Sequence, residues 1–212
     1  MQPLDAARAR AAWGFLALGV RDFDRTASLV PSSRFLVDAM LRGLHLERAR
    51  CVVELGTGTG TVTRELLARV PRGCVVVGVE LDPSLAEATR TRCRDPRLRV
   101  VCACARRLPS MLEREHAGRV DAVVSSLGLS LMDAATRDEI VRAAGSVLGP
   151  GGVYRQYAYL HARWLAYSQA RGAWFRWSAR PFLERHYGSV SSELVAANLP
   201  PAVAYTCRAP RA

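Results

Sequence analysis

At 212 residues, 50% of them hydrophobic, the chain has the material for one sizeable core and suits a single domain. Its formal net charge is +11 and every one of its 30 basic residues is arginine, a balance that attracts phosphate on nucleic acid or on an anionic membrane. The longest apolar run, Ala11 to Val20, falls short of the roughly 20 residues a helix needs to cross a bilayer, and no small-x-small cleavage site follows it before Arg21-Asp-Phe-Asp24, which argues against a signal peptide.

Residues 4 to 20 read as an amphipathic helix in which Trp13, Phe15 and Leu16 lie close to Arg8, Arg10 and Arg21. Aromatics flanked by arginine suit an interfacial helix on a membrane, and a lid packed over a ligand pocket gives the same pattern. Pro31-Ser32-Ser33 reads as a helix start with a serine cap, and Arg34 to Leu44 carries the stripe Phe35, Leu36, Met40 and Leu41. From Cys51 the pattern alternates, with strands expected at 51 to 55, 74 to 80, 98 to 103, 120 to 126 and 153 to 159. Helices are expected between them at 61 to 69, 83 to 93, 106 to 114 and 133 to 147, with a turn at Gly149-Pro-Gly-Gly152. Such alternation means a mostly parallel sheet covered on both faces.

The segment His161 to His186 interleaves Trp164, Tyr167, Trp174, Phe175 and Trp177 with arginines, which suits either a phosphate-rich surface or a helical insertion with a solvated charged face. Two strand-like stretches, 188 to 197 and 202 to 208, then flank Asn198-Leu-Pro-Pro201 as an antiparallel hairpin. The six cysteines, at 51, 74, 93, 102, 104 and 207, form no C-x-x-C pair. Reduced thiols in a cytoplasmic protein fit them better than a zinc site, for which Cys102 and Cys104 alone supply too few ligands.

The most informative stretch is Glu54-Leu-Gly-Thr-Gly-Thr-Gly60, where an apolar strand ends on a carboxylate and breaks into three glycines at alternate positions before a helix. Glycines let a backbone approach a ligand closely, and the following helix aims its N-terminal amides at polar groups. A dinucleotide fingerprint starting at Gly56 needs glycine at position 61, where Thr61 stands. A second strand ends on Glu80, about 20 residues beyond the loop, where nucleotide-binding α/β folds hold a ribose.

The E-x-G-x-G-x-G run resembles the first motif of class I S-adenosylmethionine (SAM) dependent methyltransferases. The resemblance extends further, to the bacterial phospholipid N-methyltransferases, through Val30-Pro-Ser-Ser-Arg-Phe-Leu36, Val124-Ser-Ser-Leu127, Pro150-Gly-Gly152, Gln156-Tyr-Ala-Tyr159 and Asn198-Leu-Pro-Pro-Ala202. It implies a Rossmann-like α/β fold, a mostly parallel seven-stranded sheet closed by a C-terminal antiparallel hairpin, with residues 1 to 45 as N-terminal helices and 46 to 212 as the methyltransferase domain. It implies SAM as cofactor, held by Glu54, Gly56, Thr57, Gly58, Gly60, Glu80, Leu81, Cys104, Ala105 and Ser125, with no metal. Ser32, Ser33, Arg34 and Leu127 are then substrate or lid residues, and Tyr157, Tyr159 and Gln156 orient the acceptor amine.

The same resemblance implies a peripheral protein at the cytoplasmic face of an anionic membrane, docked through Trp13, Phe15 and Leu16, that methylates phosphatidylethanolamine or its methylated derivatives. A small-molecule N- or O-methyltransferase and a non-catalytic binding protein on the same fold are the alternatives. An rRNA adenine methyltransferase stands lower, because Ser125-Ser-Leu-Gly128 lacks the Pro-Tyr motif that stacks a flipped base. Two positions depart from the family pattern: Ala103-Cys104-Ala105 stands where Gly-Asp-Ala is usual, and Gly128 stands where proline is usual.

Overall fold

A computed structural model describes the backbone of residues 32–114, 118–160, 166–168 and 173–211, and the side chains of 34–114, 118–160 and 176–211. The elements run α1 (Ser32–Leu41), β1 (Cys51–Leu55), α2 (Thr61–Arg69), β2 (Val75–Glu80), α3 (Pro83–Arg92), β3 (Leu98–Cys102) and α4 (Leu108–Arg114). After these come β4 (Val120–Ser125), α5 (Ala134–Val147), β5 (Leu148–Tyr159), β6 (Ala166–Ser168), β7 (Ala173–Phe175), α6 (Ala179–His186), β8 (Tyr187–Val195) and β9 (Ala202–Pro210). Seven strands form one sheet in the order β3-β2-β1-β4-β5-β9-β8, and β6 and β7 form a separate two-stranded ribbon. The pairs from β3 to β5 are parallel, whereas β9 pairs antiparallel with both β5 and β8.

The order follows from burial. β1 is buried at all five positions because it lies centrally with helices over both faces, the condition under which a parallel strand reads as a continuous apolar run. On one face Val53, Leu55, Val123, Leu127 and Tyr154 pack with residues of α4, α5 and α6. On the other, Val52, Val76, Ala122, Val124 and Ala204 pack against α1 and α2 through Leu36, Met40, Leu66 and Leu67. The expected elements recur with two differences. β5 starts at Leu148, so the Gly149–Gly152 turn belongs to the strand and carries a register shift opposite Val120 and Ala122. Among the described residues the aromatic insertion contains the β6–β7 ribbon and the short helix α6, so its helical reading holds there for 179 to 186.

Arginines fix α1 to the sheet. Arg155, buried on β5, donates to the Arg42 carbonyl just past the end of α1, Arg42 pairs with Glu193 of β8, and Arg69 of α2 pairs with Asp38. Cations at the carboxyl end of a helix complement its dipole. The expected membrane residues Trp13, Phe15 and Leu16, and the side chains of Ser32 and Ser33, lie outside the described residues.

Gly78 shows how tightly the layers meet: a Cβ built there would stand 2.6 Å from Thr57 Cγ2, in the turn after β1. Gly78→Ala should therefore cost about 1–3 kcal/mol, because a β-branched neighbour cannot swing aside freely. Thermal or urea unfolding of the variant against wild type checks this; an unchanged midpoint would show that the turn yields at no cost.

Candidate active site

The carboxyl ends of β1, β2 and β3 meet in one edge. Gly56 donates its amide to the Val79 carbonyl at 2.8 Å and Ala103 donates to the Glu80 carbonyl at 2.9 Å, which ties the three strand ends together. The turn between β1 and α2 has all three glycines at positive φ, +79° at Gly56, +52° at Gly58 and +87° at Gly60, a region L side chains rarely adopt. Two of them are also closed in by neighbours. A Cβ on Gly56 would lie 3.0 Å from the Leu127 side chain, and one on Gly60 would lie 2.9 Å from Cys93 Sγ. Gly58 differs, with open space where its Cβ would stand.

Two carboxylates flank that space in different states. Glu80 is nearly buried and already organised: one oxygen accepts the Gly58 amide at 2.9 Å, the other the amides of Leu81 at 2.8 Å and Asp82 at 3.0 Å. A carboxylate has about four lone-pair positions, so one remains on the oxygen bound by Gly58. Glu54 is fully buried; its Oε2 accepts from Thr63 Oγ1 at 2.6 Å, while its Oε1 has no partner. Burial pushes its carboxyl up to about 8 against the Thr63 hydrogen bond, with the Glu80 charge adding to the rise.

An orphaned buried acceptor beside an open glycine and a prepared carboxylate fits an elongated cationic ligand with a ribose, and so fits SAM. In the expected assignment Glu54 would hold the amino end of the methionine moiety and Glu80 the ribose hydroxyls. Thr57 lies elsewhere: its hydroxyl meets Thr89 at 3.2 Å and its methyl covers Gly78, so it supports the turn from behind. Thr63 was not anticipated, although a hydroxyl residue one turn into the helix after E-x-G-x-G-x-G is a readable signal. Among the described residues no three His, Cys, Asp or Glu side chains come together as a metal site.

At the end of β3, Cys104 is partly exposed and its sulfur accepts from Arg106 Nε at 3.4 Å, while Arg106 Nη1 reaches Glu139 at 3.1 Å. Ala105 is buried and starts the 3-10 turn Ala105–Arg107, and Leu81 follows Glu80, which pairs with Cys102 at the end of β3. At the end of β4 Ser125 is fully buried, and just past it Leu127 folds over Gly56. Gly128 has φ −75°, a value proline also holds, so the change from the family pattern keeps the backbone of this turn.

The three acceptor candidates on β5 divide between the faces. Tyr157 and Tyr159 share the face of α1 and α2, with ring centroids 5.4 Å apart at 77° and their hydroxyls hydrogen-bonded to each other. Burial holds both phenols above the ordinary tyrosine value, so both stay protonated at neutral pH. Gln156 points to the opposite face, where it is fully buried, accepts from Tyr154 Oη at 2.7 Å and donates to the Leu127 carbonyl at 2.9 Å. Ser32, Ser33 and Arg34 open α1, whose first turn lies on the tyrosine side of the sheet; Arg34 is exposed. His161, a conceivable proton acceptor by sequence, lies outside the described residues.

The raised Glu54 value has a defined sign. Between about pH 4.5 and 8 the folded protein keeps a proton that the unfolded chain has released, so stability falls as pH rises through this window. A ligand ammonium beside Oε1 favours the carboxylate, so binding of S-adenosylhomocysteine near pH 6.5 should release a proton. Titration calorimetry in buffers of different ionisation enthalpy should detect that release in wild type and lose it in Glu54→Gln. Equal proton counts for the two proteins would remove Glu54 from the site. Gly58→Val, which fills the open space, should abolish or strongly weaken the same binding.

Comparison with known proteins places this geometry. Residues 52–152 match the family described as "Methyltransferase domain". Ornithine lipid N-methyltransferase of Singulisphaera acidiphila is 32% identical over 183 residues, 86% of this chain and 88% of the relative. Among solved structures, a 1,6-didemethyltoxoflavin-N1-methyltransferase of Burkholderia thailandensis with bound S-adenosylhomocysteine covers 100% of this chain and 92% of its own, at 18% identity and a TM-score of 0.68. The O-methyltransferase TomG of Streptomyces achromogenes, in complex with SAM, covers 93% of this chain and 89% of its own, at 19% identity and a TM-score of 0.62. The glycine turn, the two carboxylates and the sheet order thus have one common explanation: the chain belongs to the class I SAM-dependent methyltransferases, and SAM is its cofactor.

Proposed function

We propose that the acceptor is the primary or partly methylated amine of a membrane lipid, phosphatidylethanolamine or a related amino lipid, and that the product is a methylated headgroup. The observation that carries this is the 32% identity to a lipid N-methyltransferase across 183 residues, a span that reaches well beyond the cofactor-binding segment 52–152. The distribution of exposed apolar side chains supports it. Phe35 in the first turn of α1, Leu131 after β4, and Leu194 and Leu199 around the β8–β9 turn are 50 to 70% exposed. By strand direction Leu131, Leu194 and Leu199 fall at the carboxyl edge of the sheet, the edge that carries the cofactor site. Apolar side chains around a site mouth are suited to a bilayer surface, and the arginine excess supplies attraction to anionic lipid. None of the described helices is long and apolar enough to cross a membrane, so such docking is peripheral.

SAM supplies an electrophilic methyl group on sulfur, and displacement is governed by alignment of the nucleophile. The amine must arrive unprotonated, and the protonated Tyr157 and Tyr159 are unsuited to act as base. Their role is orientation: the hydrogen-bonded pair Tyr157–Tyr159 stands at the carboxyl end of β5, on the edge that carries the cofactor site, where its hydroxyls can position an amine. Gln156 acts one step removed, fixing the Leu127 carbonyl that lines the junction of cofactor and acceptor. The ribbon β6–β7 lies against the Leu129–Leu131 turn, where it can cover the acceptor.

Incubation with methyl-labelled SAM and, in parallel, ethanolamine-lipid vesicles, ornithine-lipid vesicles and an aqueous small-molecule extract tests the reading. Label should pass into the organic phase with one of the lipids; label confined to aqueous products would reject a lipid acceptor in favour of a small-molecule enzyme. Tyr159→Phe should lower kcat roughly ten- to hundredfold while S-adenosylhomocysteine binding stays within about twofold. In vesicle sedimentation the protein should pellet with anionic vesicles, release in part as salt rises, and bind more weakly in Leu194→Ser with Leu199→Ser and in Trp13→Ser with Phe15→Ser. Full retention by both double variants would remove the apolar edge and the N-terminal segment from membrane docking.

A further inference from the structure

The cofactor site can be followed along the strand order. Glu54 at the end of β1, with its unpartnered buried oxygen, takes the amino end of the cofactor, and Glu80 at the end of β2 takes the ribose. β3 is the next strand outward, joined to β2 at this edge by the hydrogen bond from Ala103 to Glu80. The base, continuing outward from the ribose, therefore meets Cys104, Ala105 and Arg106. These groups offer the exocyclic amine of adenine no strong acceptor. Thiol sulfur is a weak acceptor, and that of Cys104 is already engaged by Arg106 Nε. Of the carboxylates on flanking elements, Glu139 pairs with Arg106 through one oxygen, and Asp82 caps α3, its Oδ1 accepting the amides of Ser84 and Leu85. Cys104 is also partly exposed, so water can hydrate an amine placed beside it.

We propose that the base subsite of this methyltransferase grips adenine through its ring and leaves the exocyclic amine unread, with Cys104 as the residue that sets this tolerance. A carboxylate at position 104 would accept the amine and impose selection for it; the thiol does neither. The enzyme should consequently bind cofactors altered at that amine nearly as well as the natural one. The inference rests on SAM as cofactor and is independent of which acceptor is methylated.

Titration calorimetry with two probes tests it: S-adenosylhomocysteine, and its 6-deamino analogue, in which purine replaces adenine and only the amine is lost. Wild type should bind the two within about threefold. Cys104→Asp should bind S-adenosylhomocysteine roughly ten- to hundredfold tighter and gain nothing for the deamino analogue, which creates at least tenfold discrimination. A wild-type preference of tenfold or more for the natural compound would overturn the proposal, as would a Cys104→Asp variant that tightens both probes equally. Should the variant fail to fold, the wild-type comparison decides alone. Wild type that binds neither probe would count against the cofactor assignment itself, a result distinct from binding with discrimination.

Discussion

The structure depends on one steric constraint, the close approach of the turn after β1 to everything around it. Leu127 reaches over Gly56, Cys93 presses on Gly60 and Thr57 sits on Gly78, each leaving no room for another carbon. Of the three glycines in the turn, Gly58 alone faces open space. A turn held on three sides and open on the fourth cannot relax into the volume its ligand needs, so the peptide groups that would contact the cofactor are set before it arrives. Thr89 adds to the hold by donating to the Gly58 carbonyl at 2.9 Å, which keeps that carbonyl turned towards α3. Preorganisation of this kind reduces the ordering cost that binding must otherwise meet.

The same turn explains why two nearby carboxylates behave differently. Glu80 accepts from three backbone amides, those of Gly58, Leu81 and Asp82. Glu54 lies deeper and has one hydroxyl partner, so desolvation dominates and its charged form is costly in the empty protein. A cationic ammonium beside Oε1 would offset that cost, which would favour a charged ligand over a neutral one there.

Much of this was legible in the chain. Gly56, Gly58, Gly60 and the strand-terminal Glu54 and Glu80 are recognisable because close approach and ribose recognition each demand a residue type at a set distance from the next. The alternation of strands and helices is equally visible, since β1, β2 and β4 are buried on both faces and admit almost nothing but apolar residues. Legibility failed where tertiary partners decide. Arg155 reads as an exposed strand residue, yet it is buried at the end of α1 with its Nε unpartnered. Gln156 reads as a pocket residue by its proximity to Tyr157, yet strand alternation sends it to the other face. A helix is one of the two readings the aromatic insertion allows, and the bounds of α6 stay open by sequence although Ser178 before it and Pro181 in its first turn are ordinary start signals.

Gln156 also shows how the acceptor end and the cofactor end become one unit. Tyr154 donates to Gln156, Gln156 donates to the Leu127 carbonyl, and the Leu127 side chain rests on Gly56. Each link is buried, so a break leaves a polar group without water and costs more than the bond itself contributes. Through this chain the position of β5, which carries Tyr157 and Tyr159, is tied to the turn that cradles the cofactor. Displacement at sulfur is sensitive to misalignment of nucleophile and methyl group, and a rigid connection between the two half-sites answers that sensitivity more directly than added contacts to either ligand. Acceptor and methyl donor need not touch a common side chain for the reaction to be aligned; β5 and the turn after β1 are already locked together.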